Sequence, residues 1–334
     1  MELLKPKVER LDCTGDPLVV IERAGRTCYK SEDNITEESA PKFVQMLLNR
    51  KHHAMIEHAN LVLSIGTFLY ERLVLLQDPH RNHISLTQGA HGCLLSGNVR
   101  ALRDICADVG VDMHIRNSIA LVGGDVVPLI FTGFQDLPLH RRNGMANVYT
   151  GELTKEEQIA HQYFSYRITC DRGVTHEIVR HRPFSYAQVS TRYCNYKGGV
   201  TFIIPPWINF EPGEASCETD DAAISSLEGP EDYWLFYMQI AECGYIHLLE
   251  QGWTPQQARS VLPNSLMTEI VITGNLRHWD HFFTMRCTPA GTPEDKLTDG
   301  LLYAASAPHP QMQEVANKVL ADMQKKVPWL SNHF

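Results

Sequence analysis

Alternating and periodic hydrophobic positions divide most of the chain into strands and helices. Residues 163–169 alternate in FSYRIT and residues 268–273 form the β-branched run TEIVIT, so both segments predict strands. The pattern also predicts strands at 60–66 and in TFIIPPWI, where two prolines close the strand. Helical spacing predicts helices over 35–50, 231–252, 278–286, 309–326, and over 174–182 with Asp171 as N-cap and Pro183 as the stop. This mixture predicts an α+β fold.

The pattern weakens between residues 67 and 160. This stretch is rich in Gly, His and Asn and includes QDPHRNH, GAHG and PLHRRNG. We interpret it as an insertion of unknown role into one domain that comprises residues 1–66 and 161–334. Its histidines and basic residues, such as His80, His91 and His140, are typical of polar surface loops, although a contribution to a folate or NADPH site stays open.

Composition narrows the function classes. The 334 residues are 43% hydrophobic and 21% charged, as in ordinary globular proteins. Thirty basic and 39 acidic residues give a net charge of −9, which disfavours general nucleic-acid binding because that depends on phosphate neutralisation. The nine cysteines include no CxxC pair, and no apolar run approaches a membrane span. We therefore expect a cytoplasmic protein with free thiols, no membrane contact and no nucleic-acid partner.

The densest polar cluster is RHRPFSYAQVSTRY, residues 180–193. Arginine presents a fixed fork of donors that matches phosphate oxygens, so this cluster in an acidic protein points to a phosphorylated ligand. The residues alone leave a second interpretation open, namely a solvated helix end whose cations face the helix dipole.

The spacing of this cluster is similar to a known signature. Arg180-His181-Arg182, seven residues and then Ser190 resemble the RHR-x7-S motif of the flavin-dependent thymidylate synthases. Further blocks resemble that family in the same order: His52-x4-Glu57-His58, ARSVLP at 258–263, Asn275-Leu276-Arg277 followed by Arg286, and PHPQMQEV at 308–315. The resemblance covers roughly 15–66 and 161–325.

This resemblance implies a core of mixed helices and an antiparallel sheet, interrupted by the long insertion. It also implies reductive methylation of dUMP to dTMP, with methylenetetrahydrofolate as carbon donor and FAD, reduced by NADPH, as hydride donor. A homotetramer with active sites shared between chains would follow. The residues implied to bind FAD are His52, Glu57, Arg180, His181, Arg182, Asn275, Arg277 and His281. Those implied to bind the nucleotide are Glu177, Gln188, Ser190, Arg192, Arg259 and Arg286, and the implied catalytic residues are His52, Ser190, Arg192 and Arg286.

Three departures from the family pattern keep alternatives open. Ala187-Gln188 stands where the family usually has Asn-Glu, Glu177 where it tends to have Gln, and Ala54 where it has Ser or Thr. The first two lie on the nucleotide side, so one alternative is UMP methylation or hydroxymethylation. An alternative of another class is a non-catalytic nucleic-acid-binding protein. We expect no metal site, because His176 and His181 are spaced one residue too far apart for an HExxH motif.

Overall fold

A computed structural model describes residues 1–76, 80–134, 146–219, 224–287 and 308–333. Its strands are β1 (Glu2–Leu4), β2 (Lys7–Leu11), β3 (Asn60–Ile65), β4 (Ile84–Gly89), β5 (Gly92–Asn98), β6 (Ala146–Val148), β7 (Tyr163–Asp171), β8 (Ser185–Gln188), β9 (Thr201–Ile203), β10 (Gly213–Glu214) and β11 (Met267–Asn275).

The helices of this part of the chain are α1 (Pro17–Tyr29), α2 (Ser39–Asn49), α3 (Thr67–Val74), α4 (Val99–Ala107), α5 (Met113–Val126), α6 (Pro128–Phe131), α7 (Lys155–His161), α8 (Arg172–Ile178), α9 (Pro230–Glu250), α10 (Pro255–Ala258), α11 (Leu276–Arg286) and α12 (Pro310–Gln324). Short 3-10 helices cover Glu32–Asn34, His53–His58, Arg81–His83, Arg259–Val261 and Pro328–His333. The α+β prediction is therefore confirmed. None of these helices is long and apolar enough to cross a membrane.

An antiparallel sheet of order β2-β7-β11-β8 forms the centre of the fold. β11 pairs with β7 along its whole length, from Met267 opposite Asp171 to Asn275 opposite Tyr163. One face packs against α11 and α12 through a cluster that includes fully buried Trp279. The other face packs against α1, where Ala24 meets Val271 and Ala187. Alternation along the predicted strands therefore serves two opposite cores, which fixes the register of the sheet.

A second antiparallel sheet has the order β4-β5-β3-β6. In it, β3 pairs with β5 from Asn60 opposite Asn98 to Ile65 opposite Cys93. Strands from the predicted insertion thus continue a sheet that begins before residue 67. A third, small sheet joins β10, β1 and β9.

The predicted helix over 174–182 ends earlier than expected. Asp171 caps α8 by accepting a hydrogen bond from the backbone N–H of Val174, as predicted, but the helix stops at Ile178. The backbone N–H of Arg180 then bonds to the carbonyl of Glu177 at 3.1 Å, a tighter i to i−3 turn. Pro183 disfavours helical backbone at the residue before it. Arg180, His181 and Arg182 consequently lie in a turn, not on a helix face.

Candidate active site

A cavity of about 510 Å³ opens beside the ends of α1 and α2 and the end of β8. We call it the His52 pocket. Its lining residues are Cys28, Tyr29, Lys51, His52, His53, Ala54, Met55, Arg100, Gln188, Ser190 and Tyr193. This volume is within the range of small-molecule sites, and the lining mixes rings and apolar groups with a few polar ones, as such sites do.

The end of α2 places His52 in this pocket. The backbone N–H of His52 bonds to the carbonyl of Leu47 at 2.9 Å, and that of Lys51 bonds to Leu48 at 3.0 Å. This is a Schellman motif, in which the left-handed position usually belongs to glycine. Here Lys51 occupies it with φ 57°, at a cost of roughly 1–2 kcal/mol for a residue with a Cβ. Backbone strain of this kind concentrates at functional sites.

Tyr29 orients the His52 ring from the end of α1. Its hydroxyl lies 2.9 Å from His52 Nδ1. Burial raises the pKa of the Tyr29 phenol, so the hydroxyl stays protonated at neutral pH. Because Tyr29 occupies Nδ1, the other ring nitrogen, Nε2, is left for a ligand. Tyr29 was not among the residues selected from the sequence, since no motif contains it.

Gln188 and Ser190 form the opposite wall. The Gln188 side-chain amide donates to Thr175 Oγ1 at 3.0 Å and to Thr268 Oγ1 at 3.3 Å. With its donors held in this way, the carbonyl oxygen of Gln188 is left as an acceptor. The backbone N–H of Ser190 bonds to the Cys28 carbonyl at 3.1 Å, which fixes this wall to the end of α1. His52 comes from one sequence block, and Gln188 and Ser190 come from another. The fold therefore brings residues of both blocks into one cavity.

Glu177, His181 and Arg286 form a separate group, which we call the Arg286 cluster. Arg286 Nη1 lies 2.8 Å from Glu177 Oε2, and Arg286 Nε donates to His181 Nε2 at 3.0 Å. Because Nε2 accepts this bond, the His181 ring is neutral. Burial, together with the charges of Arg286 and His281, lowers the pKa of His181 to about 4. The cluster shares no residue with the lining of the His52 pocket.

The remaining predicted cations are exposed. Arg259 Nη1 donates to Thr191 Oγ1 at 2.8 Å, so it lies beside the turn that follows Ser190. Arg192 Nε donates to Gln256 Oε1 at 3.2 Å on the same surface. Four further predicted site residues are also exposed, namely Arg180, Arg182, Arg277 and His281. The ring centroid of His281 lies 6.1 Å from that of His181. None of these side chains lines the His52 pocket.

Asn275 caps α11. Its Oδ1 accepts from the backbone N–H of His278 at 3.1 Å, while Nδ2 donates to the Ala160 carbonyl at 2.9 Å and to Ser85 Oγ at 3.1 Å. The residue is 1% exposed. The strand-to-helix position of Asn275 is confirmed, and its implied contact with a flavin stays a prediction.

Arg100 is a residue of the site that sequence reasoning missed. It lies on α4, inside the segment interpreted as an insertion, and lines the His52 pocket. Its Nη1 donates to Glu57 Oε1 at 2.6 Å. No motif surrounds Arg100, so only the fold shows this contact. The described residues contain no group of three or more His, Cys, Asp or Glu side chains placed to hold a metal ion.

Comparison with known proteins decides the family. The model of the family described as thymidylate synthase complementing protein matches residues 10–88 and 149–329, more than half of the chain. The chain belongs to this family. The matched ranges include all the predicted site residues and leave residues 89–148 unmatched, inside the predicted insertion of 67–160, whose limits stay a prediction.

Two relatives within the thymidylate synthase complementing protein family are called flavin-dependent thymidylate synthases. The protein from Mycolicibacterium gilvum is 36% identical over 131 residues, which cover 39% of this chain and 52% of the relative. That from Mycobacterium avium is 34% identical over 140 residues, with the same two coverages. The chain thus spans about half the length of these relatives.

A solved structure of a UMP/dUMP methylase from Streptomyces cacaoi bound with 5-Br dUMP is also similar. It is 16% identical, with a TM-score of 0.39, and the alignment covers 97% of this chain and 93% of that one. A likeness at this level carries no argument about the substrate of this chain.

Proposed function

We propose that this protein methylates C5 of dUMP to give dTMP, taking carbon from methylenetetrahydrofolate and hydride from FAD that NADPH reduces. One observation carries the proposal: the fold brings His52, from the block implied to bind the flavin, into one cavity with Gln188 and Ser190, from the block implied to bind the nucleotide. The two blocks are far apart in the chain, and their meeting in one cavity supports a site that uses both.

The pocket suits flat, anionic ligands. The rings of Tyr29 and Tyr193 lie with centroids 5.9 Å apart at its edge, and Met55 and Ala54 add apolar surface. Lys51 and Arg100 bring positive charge to a protein that is acidic overall. A flavin ring or a uracil ring fits these groups. When bound, the flavin supplies the hydride, while the chain binds, orients and shields the reactants.

Individual residues then take specific tasks. His52, oriented by Tyr29, presents Nε2 to the flavin, and Glu57 contacts the flavin from the 3-10 helix that His52 precedes. The side-chain carbonyl of Gln188 accepts a hydrogen bond from the nucleotide, for example from a base N–H or a sugar hydroxyl. Arg192 and Arg259 lie beside the turn after Ser190 and would hold its phosphate.

We further propose a homotetramer with shared active sites. The implied flavin and nucleotide residues fall into two groups within one chain, the His52 pocket and the Arg286 cluster, which share no lining residue. A second copy that placed its Arg286 cluster against the His52 pocket would complete one site. A cytoplasmic location fits nine cysteines that are all free thiols.

Visible absorbance of the purified protein tests the proposed function. We expect a flavin spectrum after excess FAD is added and the unbound fraction removed, bleaching by NADPH, and a spectral change with dUMP. A Ser190→Ala variant serves as the matched control: it should keep the flavin spectrum and lose most of the response to dUMP. If no flavin binds to the wild-type protein at any stage, the proposal is wrong.

The position of Gln188 in the pocket favours one alternative, the modification of UMP in place of dUMP. We expect Gln188→Glu to raise activity on dUMP relative to UMP, because a carboxylate restores the family's usual group on the nucleotide side. The Thr268 hydroxyl, which now accepts from Gln188, can donate to a carboxylate instead, whereas the Thr175 hydroxyl already donates to the Arg172 carbonyl at 2.9 Å and would have to leave it. Gln188→Ala is the control, and an unchanged dUMP to UMP ratio in Gln188→Glu would count against this role.

A further inference from the structure

Arg100 connects the segment outside the family match to the His52 pocket. Residues 89–148 lie between the two matched ranges, and α4 falls within them. α4 begins directly after β5, with Asn98 as its N-cap, and the backbone N–H of Val99 bonds to the Ala59 carbonyl at 2.9 Å. This bond ties the start of the helix to the chain just after Glu57. The backbone that carries Arg100 is therefore fixed relative to the pocket.

The contact between Arg100 and Glu57 is short and partly shielded from solvent. At 2.6 Å it is a short, charge-assisted bond, and the two side chains are only 39% and 25% exposed. Asp104, one turn further along α4, lies 3.5 Å from Arg100 Nε and steadies the guanidinium from the solvent side. Leu102 and Ile105 hold α4 in the same hydrophobic core as Ile56, the neighbour of Glu57.

Apart from Arg100, the described residues hold Glu57 through its backbone. Its carbonyl accepts a hydrogen bond from Ser185 Oγ at 3.2 Å, which anchors the 3-10 helix to β8. Among the described residues, the hydrogen bond to its carboxylate comes from Arg100. The direction of the Glu57 carboxylate therefore depends on Arg100, a pocket-lining residue of the unmatched segment.

We propose that Arg100 is a positioning residue for flavin binding: it fixes the direction of the Glu57 carboxylate beside the His52 pocket, so that α4, which lies outside the family match, is part of the active site. This inference rests on the proposed function. Arg100 contributes in two ways. It restricts the carboxylate to one direction, and it supplies a positive charge next to a site for an anionic cofactor.

A double-mutant cycle on flavin affinity tests the proposal, with FAD titrated into the flavin-free full chain and followed by fluorescence quenching. We expect Arg100→Gln to weaken FAD binding by up to about fivefold, as the loss of a partly exposed charge pair does. Arg100→Lys should recover part of that loss, since it keeps the charge. The loss in the double variant Glu57→Gln/Arg100→Gln should be smaller than the sum of the two single losses, because part of the effect of Arg100 acts through Glu57.

Arg103→Gln is the matched control, since it removes the same charge from the same helix at a residue that does not line the pocket. Because the charge of Arg103 also reaches His53 of the lining, while the bond to Glu57 comes from Arg100, Arg103→Gln should weaken FAD binding less than Arg100→Gln does. If Arg100→Gln fails to fold, Glu57→Gln and Arg100→Lys still test the contact from either side. The inference is overturned if the wild-type protein binds FAD and Arg100→Gln binds it equally well, or if the two losses simply add. Absence of FAD binding by the wild-type protein overturns the proposed function itself.

Discussion

Replacement of Arg286 by glutamine is expected to weaken binding of dUMP to the flavin-loaded protein about a hundredfold or more. Arg286 is implied to hold the nucleotide, and its guanidinium offers paired donors to a phosphate. In the ligand-free chain those donors are used by Glu177 at 2.8 Å and by His181 at 3.0 Å. Glutamine removes both the charge and the fork, so the loss of a charge-assisted pair, about 3 kcal/mol, sets the size of the effect.

Glu177→Gln is expected to act in the opposite direction. Glu177 is ion-paired to Arg286 and therefore competes with an incoming phosphate. The pair is partly exposed, with side chains 34% and 22% accessible, so its net strength is at most about 1 kcal/mol. Removal of the carboxylate charge should tighten dUMP binding by up to about fivefold. Glutamine is also the residue that the family tends to have at this position.

Calorimetric titration with dUMP distinguishes the two roles of this pair. Opposite effects of Arg286→Gln and Glu177→Gln support a nucleotide site, with Arg286→Lys intermediate because it keeps the charge and loses the fork. Equal weakening by both variants would show that the pair is only a structural brace. Proton NMR provides a second measurement: the pKa of His181, now about 4, should rise in Arg286→Gln because a neighbouring positive charge is gone.

The parts of the fold that the sequence predicts well are those with strong periodicity. β7 contains the alternating run and β11 the β-branched run, and both are found where predicted, because the central sheet has a core on each side. Local chemistry also held at the start of α8, where Asp171 is the N-cap. The end of α8 was placed wrongly. Helix ends depend on a balance between propensity and the constraint from a following proline, which the pattern of apolar residues does not report.

The residues of the candidate site likewise fall into those that the sequence predicts and those that only the fold shows. Motif spacing indicated His52, Gln188 and Ser190, and the fold brings them together. It indicated neither Arg100 nor Tyr29, since these residues reach the pocket through the geometry of helix ends and through packing between segments far apart in the chain. Arg286 illustrates a different limit: the sequence named it as a nucleotide ligand, while its pairing with Glu177 and His181 appears only in three dimensions.

Acidification from pH 6.5 towards pH 4 is expected to destabilise the fold by several kcal/mol. His58 is fully buried, with Nδ1 2.8 Å from Thr273 Oγ1, and burial lowers its pKa from 6.5 to about 4. In the unfolded chain the same ring takes up a proton near pH 6.5. Below that pH the unfolded state binds more protons than the folded state, so stability is lost as the pH falls and the loss ends near pH 4. The difference between the two pKa values corresponds to about 3 kcal/mol for His58 alone.

Three further histidines act in the same direction, since burial is the main cause that lowers the pKa of His161, His181 and His278 to about 4. The free energy of unfolding, measured by urea denaturation at intervals between pH 7 and pH 4, checks the prediction. His58→Gln should reduce the slope of that free energy against pH, because glutamine cannot take up the proton. Any constant cost of the substitution shifts the whole curve and leaves the slope unaffected. His247→Gln, at an exposed position on α9, should keep the wild-type slope. Equal slopes for the wild-type protein and His58→Gln would show that His58 is not a buried neutral group whose protonation drives acid unfolding.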